Sequence, residues 1–542
     1  MILRNLLFSL LSLLLVASCD NRPGQPERPN IVFIFTDDNA FEYWGFGGGP
    51  DLSPHVDRIA AEGVTMTQAH ATAPVCTPSR YSLYTGRYSG RCRLPEFRAE
   101  FPEDEICNIT WNTYLDPELE TTIGNVFQKA GYTTGYVGKW HLGFDMEPWR
   151  KQFKENDNPR DPEVASVLKE YAEAANQTVR EAGFDYAASV TPINIDNHPV
   201  KGVQFHNLEW FAKGAIDFLD MQGKSKKPFL LFVNITTHHG PCHMESIDQD
   251  VSLTPVGHVE GLVGIMPSRQ SIYRRIDAKG LDADFKTAGT VWTDDCIGAI
   301  KDHLGEIGLE ESTIFIFTTD HNRYDGKATC YQGGVHIPLL IKYPGVIEPG
   351  SECHVRLLLP DLFPTLMEAA GINQASCPDI DGRSAWKQVT GVSDEPIRED
   401  LFFEFGYSRG VLFKNWKYIA IRHPDSLTQN MNSGLVDKAY ALRGSITSEP
   451  CILRYPHYFD ADQLYNLDQD PDEQVNLAYD QEHAGTLQMM KERLQAYTTT
   501  FENPFPVDHV DSFYTTAQFN LLVKNAREID MEQFYWYLRD CY

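Results

Sequence analysis

The chain has 542 residues, enough for one large domain with an appendage or for two domains. Apolar residues make up 42% and aromatic residues 12%, a composition that excludes a disordered polymer. Lys and Arg total 47 against 75 Asp and Glu, and the net charge of −28 excludes a nucleic-acid backbone as partner. Any anionic ligand must therefore be met by a local cluster of cations.

Arg4 and the apolar run Leu6 to Val16 have the charge and length of a secretory leader, too short to span a bilayer. The run ends Val16-Ala17-Ser18-Cys19, which resembles a bacterial lipobox. It predicts a leader over 1–18, a lipidated Cys19, a polar tether over 19–29, and a chain held in the cell envelope by its lipid. An ordinary secretory signal cleaved nearby is the alternative. Besides Cys19 and Cys76, nine cysteines remain; the number is odd, and no spacing forms a zinc-type CxxC pair. Ile31 to Phe35 is a continuous apolar, β-branched run, as expected of a strand buried on both faces of a parallel sheet. Asp37 and Asp38 follow at its carboxyl end, where open α/β sheets place their sites, and two adjacent carboxylates call for a cation. Ser53 as N-cap, Pro54 at the first position and Gly63 as stop predict a helix with Val56, Ile59 and Ala60 inward.

Cys76-Thr77-Pro78-Ser79-Arg80-Tyr81-Ser82-Leu83-Tyr84-Thr85-Gly86 reads C-x-P-S-R-x-x-L-x-T-G with every fixed position filled. Seven named residues in such a window arise by chance with a frequency on the order of 10^-9. Pro78 and Ser79 predict the opening of a helix, which sets Cys76 near a helix N-terminus, where free N–H groups favour an anion. The run resembles the signature of type I sulfatases of the alkaline-phosphatase-like superfamily, whose cysteine is oxidised to Cα-formylglycine (3-oxoalanine). The resemblance implies that Asp37 and Asp38 bind metal, that Cys76 becomes the nucleophile, and that Arg80 steadies it. Arg87, Arg91, Arg93 and Arg98 crowd the next stretch and either line an anionic subsite or form a solvated loop. Phe97 to Tyr114 predicts an irregular substrate loop near the catalytic end.

Thr122 to Ala130 predicts an amphipathic helix stopped by Gly131, and Tyr132 to Val137 a strand leading into Gly138-Lys139-Trp140-His141-Leu142-Gly143. Lys139 and His141, two apart on an extended chain, point the same way and can converge on one anion. In the resembling family this lysine holds sulfate and this histidine bonds the formylglycine. Residues 144–205 read as polar and loop-rich. A helix over 211–221 and a strand over 228–235 precede Thr236-Thr237-His238-His239-Gly240-Pro241. His239 matches the family's His-x-Pro histidine, whose role is sulfate binding and proton donation, with His243 as a second candidate. A long helix over 284–309 and a strand over 313–318 lead to Asp320 and His321, implied metal ligands, the histidine replacing the commoner Asn. Gly326 to Pro338 resembles the segment that carries the second sulfate lysine, here Lys327, with Gln332 and His336 where the family has Glu and Arg. Residues 360–371 match a helix closing the large domain; 402–421 predict antiparallel strands, 463–477 match the family's C-terminal turn, and 481–498 predict a helix.

The resemblance covers residues 29–497. It implies an α/β fold: a large α/β/α sandwich over 30–395 and a smaller C-terminal α+β part over 396–542. The metal set is Asp37, Asp38, the modified Cys76, Asp320 and His321, holding calcium, with magnesium or manganese left open by the nitrogen ligand. The implied activity is hydrolysis of sulfate esters on a polysaccharide such as ulvan, carrageenan, fucan or a glycosaminoglycan. The implied partners are that carbohydrate and a formylglycine-generating or anaerobic sulfatase-maturating enzyme. The alternatives are a phosphonate monoester hydrolase or phosphodiesterase of the same fold, and a silent glycan-binding lipoprotein.

Overall fold

The computed structural model describes residues 28–100, 106–322, 326–377, 379–424, 454–458 and 460–508. The leader, the lipidation site at Cys19 and nearly all of the tether lie outside them. Strand β1 (Asn30–Thr36) is buried at every position and lies between two parallel neighbours. With β2 (Val64–Met66), β3 (Thr133–Lys139), β4 (Tyr186–Thr191), β5 (Phe229–Asn234), β6 (Thr313–Thr319), β7 (Leu339–Lys342) and β8 (Ser351–Cys353) it builds an eight-stranded sheet in the order β8-β2-β7-β6-β1-β5-β3-β4. The run from β6 to β4 is parallel; β7 is antiparallel to both β6 and β2.

The alternation of side chains along β1 makes the layers. Ile31, Phe33 and Phe35 enter a core on one face, and Val32 and Ile34 enter a core on the other. On the first face lie α2 (Cys76–Thr85) and α3 (Ile123–Lys129), and beside them α4 (Pro162–Glu181) and α7 (Leu362–Ala369). The second face carries α1 (Pro54–Glu62), α5 (Leu208–Gln222) and α6 (Phe285–Glu306). Each fully buried aliphatic or aromatic side chain of β1 contributes about 2 kcal/mol, so a strand apolar on both faces is held only where helices cover both. Among the described residues no helix is long and apolar enough to cross a membrane.

A second sheet, β9 (Asp400–Phe405), β10 (Ser408–Phe413), β11 (Trp416–Ile421) and β12 (Asp462–Asn466), is antiparallel in that order, with α8 (Ala484–Thr498) on it. Its apolar core includes Val75, Ala328 and Tyr331, the immediate surroundings of Cys76 and Lys327. The small sheet therefore buttresses two of the loops that carry the predicted site.

Two sequence expectations need correction. Residues 144–205 are not loop-rich: they hold α4 and β4, with a short helix over Glu147–Gln152. Asp161 caps α4 and Pro162 opens it, but only Leu168, Tyr171, Ala175 and Val179 are buried, a stripe too narrow to stand out among the charges. Ser53 does occupy the N-cap position of α1, yet its hydroxyl faces Gly45 N–H (2.9 Å) and Asp57. The first N–H groups of α1 donate instead to Asp294 of α6, at 2.8 Å from Val56 and 3.2 Å from His55.

Candidate active site

Four adjacent parallel strands end on the same side of the sheet and deliver one cluster. Strand β1 is followed by Asp37 and Asp38, β3 ends on Lys139, β5 runs into the loop that carries His239, and β6 is followed by Asp320 and His321. Helix α2 begins at Cys76 with Val75 as its N-cap, and all ten of its residues are buried. Gly138 has φ +97, and a Cβ there would lie 2.0 Å from the Asn234 carbonyl oxygen, so only glycine lets β3 kink beside β5 and turn out Lys139. At Gly326 a Cβ would lie 1.8 Å from the Gly333 carbonyl oxygen; this close backbone contact shapes the loop of Lys327.

Cys76 Sγ is the centre of the arrangement. It lies 3.4 Å from Asp37 Oδ1, 3.4 Å from His321 Nε2 and 3.5 Å from Lys139 Nζ. Ligand atoms of Asp37, Cys76, Asp320 and His321 lie within 4.8 Å of one another, all four side chains buried. His321 Nδ1 is 2.9 Å from the Asn322 carbonyl, which can only accept; the proton therefore sits on Nδ1 and Nε2 presents a lone pair to the cluster. Two carboxylates, an imidazole lone pair and the Cys76 side chain around one point fit a divalent cation. Asp38 stands beside this group rather than in it. Its carboxylate faces Lys327 Nζ at 3.0 Å and His321 Nδ1 at 3.2 Å, and its φ of 57 turns the chain there.

The cations are as deeply placed as the acids. Lys139 Nζ donates to Asp37 Oδ2. Arg80 donates to Asp320 Oδ2 through Nε (3.2 Å) and forms an ion pair with the same oxygen through Nη2 (3.0 Å), while Nη1 donates to Asn234 Oδ1 (3.1 Å) and the Lys139 carbonyl (3.3 Å). Burial alone would raise Asp37, but Lys139, His239, Arg80 and Lys327 outweigh it and hold the carboxyl well below its usual range. Asp38 is raised, because burial and the neighbouring Asp37 and Asp320 exceed what Lys327 and His321 offset. Burial, followed by Asp37, pushes the Cys76 thiol up, so it is protonated at neutral pH. His239 is driven well below its ordinary value by burial and by Lys327 and Lys139. His141 is driven down by burial, Lys139 and Arg80, and its buried Nδ1 has no hydrogen-bond partner among the described residues.

The sulfatase family model matches residues 29–372. The chain belongs to the sulfatase family. It is 28% identical over 435 residues to an ulvan-active sulfatase of Formosa agariphila, an alignment that spans 77% of this chain and 75% of that one. It is 26% identical over 392 residues to an endo-4-O-sulfatase of Bacteroides thetaiotaomicron, spanning 66% and 73%. Its fold superposes with a TM-score of 0.58 on a structure solved in complex with its substrate D-glucosamine-2-N,6-O-disulfate, at 18% identity, covering 89% of this chain and 100% of that one. The fold is thus the alkaline-phosphatase-like sandwich of sulfatases.

In this sulfatase the electrostatics tie Lys139, His141, His239 and Lys327 to the same buried carboxylates, together with Arg80. The route by which His141 arrives differs from the sequence argument. Its φ is 55, so Lys139 and His141 converge through a left-handed turn after the strand ends, not through strand alternation. Arg80 acts as a strut: its contacts go to Asp320, Asn234 and the Lys139 backbone. The neighbouring arginines are each paired with a carboxylate. Arg87 pairs with Glu120 (2.6 Å), Arg91 with Asp381 (3.1 Å), Arg93 with Asp379 (3.1 Å) and Arg98 with Glu502. The Phe97–Tyr114 stretch, in its described part, bridges Ile109 to Gly406 in the turn between β9 and β10, and just after it Leu115 N–H donates to the Leu142 carbonyl at 2.9 Å.

His238 points away, to Thr290 (3.1 Å) and the rings of Tyr43 and Trp44. Sequence reasoning missed Asn234, which joins Arg80 to the Tyr84 hydroxyl (2.8 Å), and the pair Lys417–Glu473. Glu473 Oε2 accepts from Gln332 N–H at 2.6 Å, and Lys417 lies 3.2 Å from Glu473 Oε1 and 3.3 Å from Gln332 Oε1. Glu473 thus supplies a carboxylate beside Gln332, where the family has a Glu. His336, in place of Arg, bonds the Thr67 carbonyl (2.9 Å) between the rings of Phe41 and His70.

Proposed function

We propose that this sulfatase removes sulfate from a sulfated polysaccharide or its oligosaccharides, with a formylglycine made from Cys76 and a bound calcium ion. The observation that carries the reading is the surroundings of Cys76 Sγ: a carboxylate, an imidazole lone pair and an ammonium within 3.5 Å, at the head of a buried helix. A thiol at that point would be trapped as a thiosulfate once it attacked sulfur. The hydrate of formylglycine supplies two hydroxyls, one to attack sulfur and one whose proton loss releases sulfate by elimination. A cation held by Asp37, Asp320, His321 and the oxidised Cys76, with Asp38 alongside, would favour the ionised hydroxyl and neutralise sulfate oxygens.

The chain's own groups do the rest. Lys139 and Lys327, both charged, bind the sulfate oxygens, and Arg80 keeps Asp320 and the Lys139 backbone in register. A bound sulfate offsets the charges of Lys327 and Lys139 that hold His239 down, so that His239 takes a second proton on Nε2 and hands it to the leaving sugar oxygen, and His141 takes one in the elimination. An ulvan type of polymer is favoured by the activity named for the Formosa agariphila relative, and the endo-4-O-sulfatase favours action on a sugar 4-O-sulfate. Maturation calls for a formylglycine-generating or anaerobic sulfatase-maturating enzyme. The Val16-Ala17-Ser18-Cys19 run supports a mature chain that begins at Cys19 and is anchored by lipid in the bacterial envelope. Desulfation of a panel of defined sulfated oligosaccharides, before and after chelation and calcium return, tests the reading. Activity on at least one sugar sulfate, lost on chelation and restored by calcium, is expected; full activity in metal-free protein, or none on any sugar sulfate, overturns it.

A further inference from the structure

His206 lies in the loop ahead of α5, with 1% of its surface exposed, and the hydrogen bonds of its ring go to one loop. Its Nε2 is 3.0 Å from the His239 carbonyl and 3.1 Å from the Pro241 carbonyl, and its Nδ1 is 2.8 Å from Thr236 Oγ1. Carbonyls only accept, so Nε2 carries the proton and Nδ1 accepts from the threonine hydroxyl. One ring thereby ties the start, middle and end of the loop 236–241 that bears His239. The backbone of His206 is itself held, its N–H donating to Ser246 Oγ at 3.2 Å. The ring of His243 stands 5.3 Å away, with Nε2 3.2 Å from the same His239 carbonyl and Nδ1 2.7 Å from the Phe285 carbonyl. On His239 itself, Nδ1 is 2.9 Å from the Gly240 carbonyl, which leaves Nε2 as the nitrogen for a bound ester.

We propose that His206 is a positioning residue for His239: it fixes the loop so that His239 Nε2 meets the leaving oxygen of the sulfate ester. A phenylalanine would fill the same volume without the cost of burying an imidazole. The imidazole's polar atoms are all spent on this loop, which a packing role does not require. A loop displaced by about 1 Å can cost up to about 10²-fold in rate. The proposal rests on the reading of His239 as proton donor, and the experiment separates the two.

The test compares His206→Leu and His206→Gln with the wild type and with His239→Ala, on a sulfated sugar and on an activated aryl sulfate whose leaving group needs no proton. Folding is checked by thermal melting. His206→Leu is expected to lower kcat on the sugar about tenfold, with KM changed less than about threefold and the aryl ester slowed less than about threefold. His206→Gln, which keeps a donor near the Nε2 position, is expected to recover most of the loss. If the leucine variant does not fold, His206→Asn takes its place; its amide reaches only the Nδ1 position, and it should be slower than the glutamine variant on the sugar alone. Equal losses on both esters, or no loss in folded protein while His239→Ala keeps its leaving-group dependence, overturn the proposal. Equal losses on both esters in His239→Ala would overturn the proton-donor reading, and the role of His206 with it.

Discussion

Two clusters of cations sit close together in this chain and do opposite things. Arg87, Arg91, Arg93 and Arg98 are dense in sequence, yet each has its own carboxylate and joins the segment after α2 to distant parts of the chain. Lys139, Lys327 and Arg80 are scattered in sequence, yet they meet at the ends of parallel strands around carboxylates that also face Cys76. A cation cluster in sequence thus says little about anion binding until its partners are known. What marks the second set is that its acids stand close enough to share a metal, with Lys139 and Lys327 bonded to Asp37 and Asp38 beside that point.

The sharpest way to break this contrast is to remove members of each set. Asp320→Ala or Asp37→Ala should cost at least about 10³-fold in kcat/KM on a sulfated sugar, with metal content falling in parallel by elemental analysis. Lys139→Ala or Lys327→Ala should cost about 10²- to 10³-fold with metal retained. Arg91→Ala, from the other set, should leave kcat/KM within about twofold. A tenfold loss there would erase the distinction between the clusters. Arg80→Lys falls between, at about tenfold to 10²-fold. A lysine keeps the charge but cannot reach Asp320, Asn234 and the Lys139 carbonyl at once.

Smaller effects concern stability. Glu473→Gln leaves Lys417 buried without its carboxylate and should cost about 3 kcal/mol in denaturant unfolding. A change below about 0.5 kcal/mol would mean that the pair does not hold the Gln332 loop. The smallest concerns Glu310, where burial would raise the carboxyl but Lys301 and Lys342 bring it down to about 2 from 4.5. A carboxyl depressed in the folded state contributes stability above its unfolded pKa and loses it as pH falls through the folded one. Glu310→Gln should therefore cost about 1 kcal/mol at pH 7, discounted for its partial exposure, with the difference closing between pH 4.5 and 2. A difference that persists at pH 2 would assign the effect to packing.

The strand-end residues of the site were legible because chemistry and local structure coincide there. Ile31 to Phe35 could only be a buried strand, and Asp37 follows it; the same holds for Lys139, His239 and Asp320. Helix α4 was missed because its buried stripe is four residues wide in twenty. Asn234, His206 and Glu473 were illegible for a different reason. Each works through a partner far along the chain, and nothing local distinguishes a buried polar strut from an exposed residue of the same type. His141 shows the limit from the other side: it lies near Lys139, Arg80 and Asp37, but the left-handed turn that brings it there was not foreseeable from a Trp-His-Leu sequence.

The central claim is that Cys76 works as formylglycine. The direct measurement is mass spectrometry of the peptide that contains Cys76, made alongside sulfate release in preparations that differ in how far that residue is converted. The account predicts that kcat rises in proportion to the aldehyde fraction, and that Cys76→Ala keeps the fold and the melting temperature within a few degrees while losing turnover. Sulfate release at an undiminished rate from protein whose Cys76 is entirely thiol would contradict it.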